Sequence, residues 1–244
     1  MNGKNEPCRL CHSEEEDLRF SHILPEFLYK PLRDEKRRYI GLKYAQETGA
    51  KRILLQKGIR EYLLCGNCEQ VLAKYERYAA DVLRKLPDMS REPAGRVVHI
   101  TGVDYTRFKI FQLSLLWRAG VGRQASFHEV NLGPHEEVLR RMILEGDPGA
   151  PMAYGCVLMC TQGPKTLSHI IQPPRHLRFS EHHAYDLLLF GMIWIFVVSS
   201  HSGQILEKDS FLTKAGTLPV HITRTTSDQY IAALAKQARS MGFV

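Results

Sequence analysis

The sequence lacks the long apolar segments of a membrane or secreted protein. Its longest uncharged apolar run has 12 residues, from Leu187 to Val198, whereas a helix needs about 20 residues to cross a bilayer. The first twenty residues contain two cysteines and an acidic run at 14–17 in place of an apolar leader. We therefore expect a cytoplasmic protein without a membrane partner.

Several common catalytic signatures are also absent. The chain has no internal repeat, no P-loop, no dinucleotide-binding fingerprint and no nucleophile elbow. These absences argue against nucleotide-dependent enzymes and α/β-hydrolases. The composition is that of a globular chain, with 44% hydrophobic and 24% charged residues, and its formal net charge of +7 permits a polyanionic partner.

Six cysteines form three close pairs: Cys8/Cys11, Cys65/Cys68 and Cys156/Cys160. The first two pairs have the C-x-x-C spacing that lets both thiolates of a pair bind one ion at about 2.3 Å. In a chain without an export signal, this spacing favours a metal site over disulfides. Zinc suits four soft thiolates, so we expect one structural zinc site; the alternative is four unrelated buried thiols. The third pair lies in an apolar segment and is predicted to pack in the core.

The first ninety residues show an ordered pattern of elements. A short strand at 18–25 carries His22, a basic stretch covers 30–60, a second strand covers 59–64, and 69–86 has the apolar spacing of an amphipathic helix. The basic stretch contains ten Lys or Arg and three acidic residues. Residues 87–95 are the best linker candidate, so we predict one unit at 1–90 with the basic stretch as an insertion.

Residues 96–244 predict a second, mixed α+β domain. Helices are expected at 105–119, 134–144 and 227–241, and strands at 154–161, 169–172, 187–199 and 218–223. The apolar segment at 187–199 is interpreted as either one core strand or a pair of strands. Trp117 and Trp194 are expected in the core. Glu181, His182 and His183 are interpreted as a polar surface cluster. Regulation, contacts between copies of the chain and partner binding all stay open for this domain.

Two motifs in the first ninety residues resemble those of the HNH nucleases, also called ββα-metal or His-Me finger endonucleases. They are Ser-His-Ile-Leu-Pro at 21–25 and Leu-Cys-Gly-Asn-Cys-Glu at 64–69, preceded by the first cysteine pair. The resemblance covers about residues 5–86. It implies a treble-clef-like ββα unit with a structural zinc ion, a strand-end histidine that activates water, and a divalent ion at the scissile phosphate.

Carried over by position, the resemblance implies three sets of site residues. The structural zinc ligands are Cys8, Cys11, Cys65 and Cys68. The catalytic base is His22, and Glu69 falls where the family places its last ligand for the catalytic ion, here Mg²⁺ or Mn²⁺.

The sequence departs from the family at two positions. Ser21 replaces the usual acidic or histidine ligand, and a neutral hydroxyl is a weaker ligand for a divalent ion. Arg60 stands where the family commonly has asparagine, so it could contact phosphate but could not bind a metal. His12 and Glu26 are candidate substitute ligands.

We therefore predict an HNH-type, metal-dependent endonuclease that cleaves DNA in preference to RNA. The predicted phosphate-facing residues are Arg37, Arg38, Lys51, Arg52 and Arg60. Similar bacterial variants occur beside phage-defence genes, so the resemblance extends this prediction to a defence effector. The alternative is a non-catalytic, zinc-stabilised module that binds nucleic acid or an acidic protein, in which His22 has lost its role.

Overall fold

The fold is a mixture of helices and strands in which a six-stranded sheet is the largest element. A computed structural model describes residues 5–14, 17–33, 35–36, 38–45, 49–55, 57–162, 171–179, 182–199 and 208–224. The mixed α+β class predicted from the sequence is confirmed. No helix within these ranges has the length and hydrophobicity of a membrane span.

The N-terminal elements are two small antiparallel sheets and one long helix. They are β1 (Arg19–His22), a 3₁₀ helix (Glu26–Leu32), β2 (Tyr39–Ala45), β3 (Gly49–Leu55), β4 (Arg60–Leu64) and α1 (Gly66–Arg84). Strand β1 pairs with β4, while β2 and β3 form a hairpin within the basic stretch. The two predicted strands and the predicted helix are confirmed, although the helix begins three residues earlier than the apolar pattern indicated.

Helix α1 forms because one side of an otherwise charged segment is apolar. Leu72, Ala79 and Leu83 are buried on that side, which contacts the next helix along the chain. Cys65 precedes the first turn in an extended conformation, and the helix ends at Arg84, before Pro87. Its first turn therefore lies immediately beside the second cysteine pair.

The remaining elements assemble around the larger sheet. They are β5 (Val97–Ile100), α2 (Tyr105–Val121), α3 (His135–Glu145), β6 (Cys156–Gln162), β7 (Gln172–Phe179), β8 (His182–Leu189), β9 (Met192–Val197) and β10 (Leu218–Arg224). The strand order is β5-β10-β6-β9-β8-β7, in which only the β6–β10 pair is parallel. The predicted helix at 227–241 and residues 169–170 of a predicted strand lie outside the described residues.

The apolar segment at 187–199, predicted to be one core strand or a pair of strands, is a pair, because it contains the end of β8, a turn and β9. Strand β8 ends at Leu189, and Phe190 and Gly191 follow with φ angles of 55° and 71°. This left-handed pair reverses the chain before β9. The sequence concealed the turn because Phe190 is apolar and both flanking strands are buried on both faces.

Helix α2 is the central element of the core. It is buried on nearly all sides and contacts both α1 and α3, and Trp117 lies within it and is fully buried. One continuous core joins Leu83 of α1 with Phe111 of α2 and Trp194 of β9. Both tryptophans are therefore core residues, as predicted. The core continues across residues 87–95, and the division into 1–90 and 96–244 stays a prediction.

Candidate metal centre and adjoining pocket

Four cysteines converge at the point where the chain enters α1. The Sγ atoms of Cys8, Cys11, Cys65 and Cys68 all lie within 4.8 Å of one another, which is close enough to hold a metal ion. Three of these cysteines are buried and Cys11 is half-buried. The predicted convergence of the two pairs is confirmed.

The backbone explains why the thiols meet. In the first knuckle, the Cys8 N–H donates to the Ser13 carbonyl at 2.9 Å and the His12 N–H donates to the Cys8 carbonyl at 2.8 Å. His12 adopts a left-handed φ of 61° that closes this turn. The second knuckle contacts the first directly, because the Cys65 N–H donates to the Cys8 Sγ at 3.3 Å.

The thiols interact strongly with one another. A hydrogen bond from Cys68 lowers the pKa of Cys8 to about 4, and the same contact raises the pKa of Cys68. Burial raises the pKa of Cys11. Four sulfur donors that converge on one point have the donor chemistry of a cation site.

The third cysteine pair lies apart from this cluster, on β6. Cys156 is fully buried and Cys160 half-buried, and burial raises the pKa of both thiols. These environments keep sulfur protonated and inert. The prediction that this pair consists of core thiols is confirmed.

An open pocket of about 400 Å³ adjoins the cysteine cluster. Its walls come from the whole of β1, the start of β4 and the first turn of α1. Arg19, Phe20, Ser21, His22, Arg60 and Glu69 are among its lining residues. The structure thus brings His22, Arg60 and Glu69 together, although the first and the last are 47 positions apart in the sequence.

The imidazole of His22 is held neutral in this pocket. The Arg60 Nε–H donates to the His22 Nε2 at 2.8 Å, so this ring nitrogen is an unprotonated acceptor. Burial, followed by the positive charge of Arg60, lowers the pKa of His22 to about 4. The strand register explains the contact, because His22 and Arg60 are directly opposed across β1 and β4.

The pocket is poor in acidic ligands. Ser21 is buried and its hydroxyl donates to the Arg19 carbonyl at 3.2 Å. Glu69 is the one carboxylate among the described residues that line the pocket. Of the two substitute ligands considered, Glu26 pairs with Arg33 at 3.0 Å, and His12 lies on the first knuckle and does not line the pocket.

Arg118 of α2 is a part of the site that the sequence analysis missed. Its side chain is only 3% exposed, and its guanidinium pairs with Glu76 of α1 at 2.8 Å. The same guanidinium donates to the backbone carbonyl of His22 at 3.1 Å. It therefore fixes the end of β1 against two helices. The available signal was a charged residue directly after the largely apolar segment 110–117 of this helix.

The predicted phosphate-facing residues fall in different places. Arg60 lines the pocket, and Arg38 is half-buried. Lys51 and Arg52 lie on β3, where Lys51 is opposite Lys43 of β2. Arg37 lies outside the described residues.

Of the two histidines at the start of β8, His183 contacts a histidine of the adjacent strand β7. The Nδ1 atom of His183 is 2.9 Å from the Nε2 atom of His176. Both rings are exposed, in keeping with a polar surface cluster, while Glu181 lies outside the described residues. The only group of three or more potential metal-ligating side chains among the described residues is the four-cysteine cluster.

No protein-family model, no curated protein and no solved structure matches the chain. Its function must therefore be inferred from the chemistry of the cluster and the pocket.

Proposed function

We propose that the chain is an HNH-type endonuclease that hydrolyses DNA phosphodiester bonds in the pocket beside the cysteine cluster. The observation that carries this proposal is the meeting of His22, Arg60 and Glu69 in one open pocket. The first cysteine knuckle precedes β1, and the second lies between the end of β4 and the first turn of α1. This order, with β1 paired to β4, supports a treble-clef-like ββα unit. An HNH-type active site would need these elements in this order.

The four cysteines are proposed to hold a structural zinc ion. Zinc accepts four thiolates in a tetrahedral arrangement and has no redox demand. Sγ atoms within 4.8 Å of one another fit that geometry. The ion would join the N-terminal knuckle to the start of α1 and so fix the pocket wall that carries Glu69.

His22 is proposed to act as the general base. Its unprotonated Nε2 accepts a proton from water as the water oxygen forms a bond to phosphorus and the ester P–O bond breaks. The leaving oxygen then takes a proton from solvent. For Nε2 to reach the water, Arg60 must release it, and an incoming phosphate oxygen is the stronger acceptor for a guanidinium. Arg60 would therefore bind the substrate and free the base in one movement.

Glu69 fits a catalytic divalent ion only together with the substrate. Mg²⁺ is commonly bound by one or two carboxylates plus substrate phosphates, and this pocket offers one carboxylate among its described residues. With a phosphate present, Glu69 would hold Mg²⁺ or Mn²⁺, which supplies charge stabilisation at the leaving oxygen. Neither Ser21 nor Arg60 provides a further ligand for this ion.

The alternative is a non-catalytic module that binds nucleic acid through the same pocket. The hydroxyl of Ser21 is committed to a backbone carbonyl, and Arg60 covers the His22 nitrogen. Two arginines against one carboxylate favour holding a phosphate. A protein partner or a second copy bound through residues 96–244, and a role in phage defence, stay predictions under either function.

Nicking of supercoiled plasmid with Mg²⁺ or Mn²⁺ tests the proposal. His22→Ala should lower the cleavage rate by about 10²- to 10⁴-fold, the usual contribution of a general base. His128→Ala, which removes an exposed imidazole elsewhere, is the matched control and should cleave normally. Cleavage that persists in His22→Ala removes His22 from the mechanism. Retained DNA binding without cleavage by the wild type selects the binding module.

A further inference from the structure

Large apolar side chains are rarely exposed in the described part of this protein. Among the residues whose side chains the structure describes, which exclude the β2–β3 hairpin, the most exposed are Phe20 at 54%, Leu144 at 44% and Val71 at 36%. Phe20 is the most exposed and is the one that lines the candidate pocket. An aromatic ring left in water at the rim of a site is a candidate binding surface.

The strand pairing holds Phe20 in place. Phe20 is opposite Tyr62 across β1 and β4, and the two ring centroids are 5.2 Å apart with an interplanar angle of 50°. Tyr62 is half-buried and packs on the core. The ring of Phe20 is therefore supported from one side while its other side faces solvent, as in a stacking platform.

The platform lies one step along the strands from the His22–Arg60 pair. Side chains two residues apart on a strand share a face and are about 7 Å apart. Phe20 and His22 have this spacing, as do Tyr62 and Arg60, and each pair is matched across the two strands. One extended nucleotide can span the interval between the basic pair and the ring.

The charges around the ring define the chemistry of its ligand. Arg19 and Arg60 line the same pocket, so the site combines two guanidinium groups with a flat apolar surface. A lipid tail or an apolar peptide would use only the ring. A phosphate linked to a planar base would use both features.

We propose that Phe20 stacks against an unpaired nucleobase, so that the pocket takes single-stranded or locally opened nucleic acid. In an intact duplex the faces of the bases are covered by their neighbours, and a base must leave the stack to reach a protein ring. This inference rests on the proposed nucleic-acid-binding pocket and adds its substrate class. It does not require that the pocket cleaves.

The test measures base stacking separately from cleavage. Fluorescence anisotropy, without added divalent metal, compares a short oligothymidylate with an abasic phosphodiester oligomer of equal length and charge. Stacking on an aromatic side chain strengthens binding by about fivefold to a hundredfold per base. Wild-type protein should prefer the oligothymidylate by such a factor. Phe20→Ala should lose the preference, and Phe20→Trp should keep it.

Leu144→Ala is the matched control, since it also removes an exposed apolar side chain but does so on α3. It should leave the preference unchanged, and all variants should retain their metal content as a check on folding. The proposal is overturned if Phe20→Ala keeps the preference, if Phe20→Trp loses it, or if the wild type has none. Plasmid nicking decides the proposed function separately, because base-dependent binding can be present when cleavage is absent.

Discussion

The cysteine cluster and the pocket meet at the first turn of α1, but they are built differently. The cluster is largely buried, and its four donors are close enough to hold an ion without help from any other molecule. The pocket is open, with one carboxylate, two arginines and an exposed aromatic ring. The cluster thus has a complete donor set for one ion, whereas the charged side chains of the pocket are an incomplete set, with two guanidinium groups and one carboxylate.

This difference separates a structural role from a substrate-binding role. A complete donor set is satisfied within the folded chain, so its loss should damage the fold. An incomplete set leaves groups such as the Arg60 guanidinium bound to a neighbour that a phosphate would replace. Its loss should damage function and leave the fold largely intact.

The largest expected effect comes from Cys65→Ser. A structural zinc site contributes on the order of 10 kcal/mol, which is comparable with the whole stability of a folded domain at about 5–15 kcal/mol. We expect about one zinc per wild-type chain by elemental analysis. In the variant we expect loss of zinc and of the thermal unfolding transition, because Cys65, Leu72 and Phe111 share one core.

Cys160→Ser is the matched control for the cluster, because it removes a half-buried thiol on β6. This variant should keep both the zinc and a cooperative transition. Equal zinc loss in the two variants would contradict the assignment of the ion to the cluster.

The second effect is on the network that joins the pocket to α2. Arg118→Met leaves the Glu76 carboxylate without its buried partner and frees the His22 carbonyl. Breaking such a pair costs about 3 kcal/mol in the free energy of unfolding, measured by chemical denaturation. Arg96→Met breaks an exposed pair with Glu92 and should cost about 1 kcal/mol or less. Equal costs would show that Arg118 is not a structural anchor.

The sequence allowed the cluster to be predicted better than the pocket for a physical reason. A C-x-x-C knuckle encodes its own geometry, so two of them at 8–11 and 65–68 predict that the four thiols converge. The hydrogen bond from Arg60 to His22 depends on strand register. The contact from Arg118 depends on how α2 packs. Neither follows from the spacing of residues along the chain.

The same contrast applies to the fold. Helix α1 was predictable because one apolar side alternates with charged positions. The position of the β8–β9 turn was not, because both strands are largely buried and the turn residue Phe190 is itself apolar, so one strand and two strands fitted the pattern equally well. Patterns reveal elements that contact water on one side and conceal elements that lie wholly within the core.

A smaller effect is expected from the basic stretch at 30–60, whose positive charge would strengthen the binding of a polyanion. Reversing Arg37 and Arg38 to glutamate should weaken DNA binding and flatten its salt dependence, by about 0.9 in the logarithmic slope for each phosphate that the variant no longer neutralises. The measurement is DNA affinity over a range of salt concentrations. The double reversal Arg84→Glu and Lys85→Glu, at the exposed end of α1, is the control. Equal slopes in both double variants would exclude a specific role for the basic stretch.

The smallest effect concerns the proton affinity of His22. Four charged groups influence its imidazole, namely Arg60, Glu26, Glu76 and Arg118. Burial is the largest cause of its low pKa of about 4, and Arg60 is the next. In Arg60→Gln the pKa of His22 should therefore rise but stay below 6.5, because burial persists. An NMR titration of the imidazole C–H resonances measures this, and Arg19→Gln is the control that also removes one charge from the pocket.

The lowered pKa of His22 also sets the direction in which the free energy of unfolding changes with pH. Between about pH 4 and pH 6.5 an unfolded histidine binds a proton that the folded His22 does not. The free energy of unfolding should therefore fall as the pH drops through this window, and this fall should be smaller in Arg60→Gln. Identical titration midpoints in the wild type and Arg60→Gln would show that Arg60 does not control the base. The protonation of His22 would then not depend on Arg60, and the proposed release of His22 by a phosphate that binds Arg60 would be wrong.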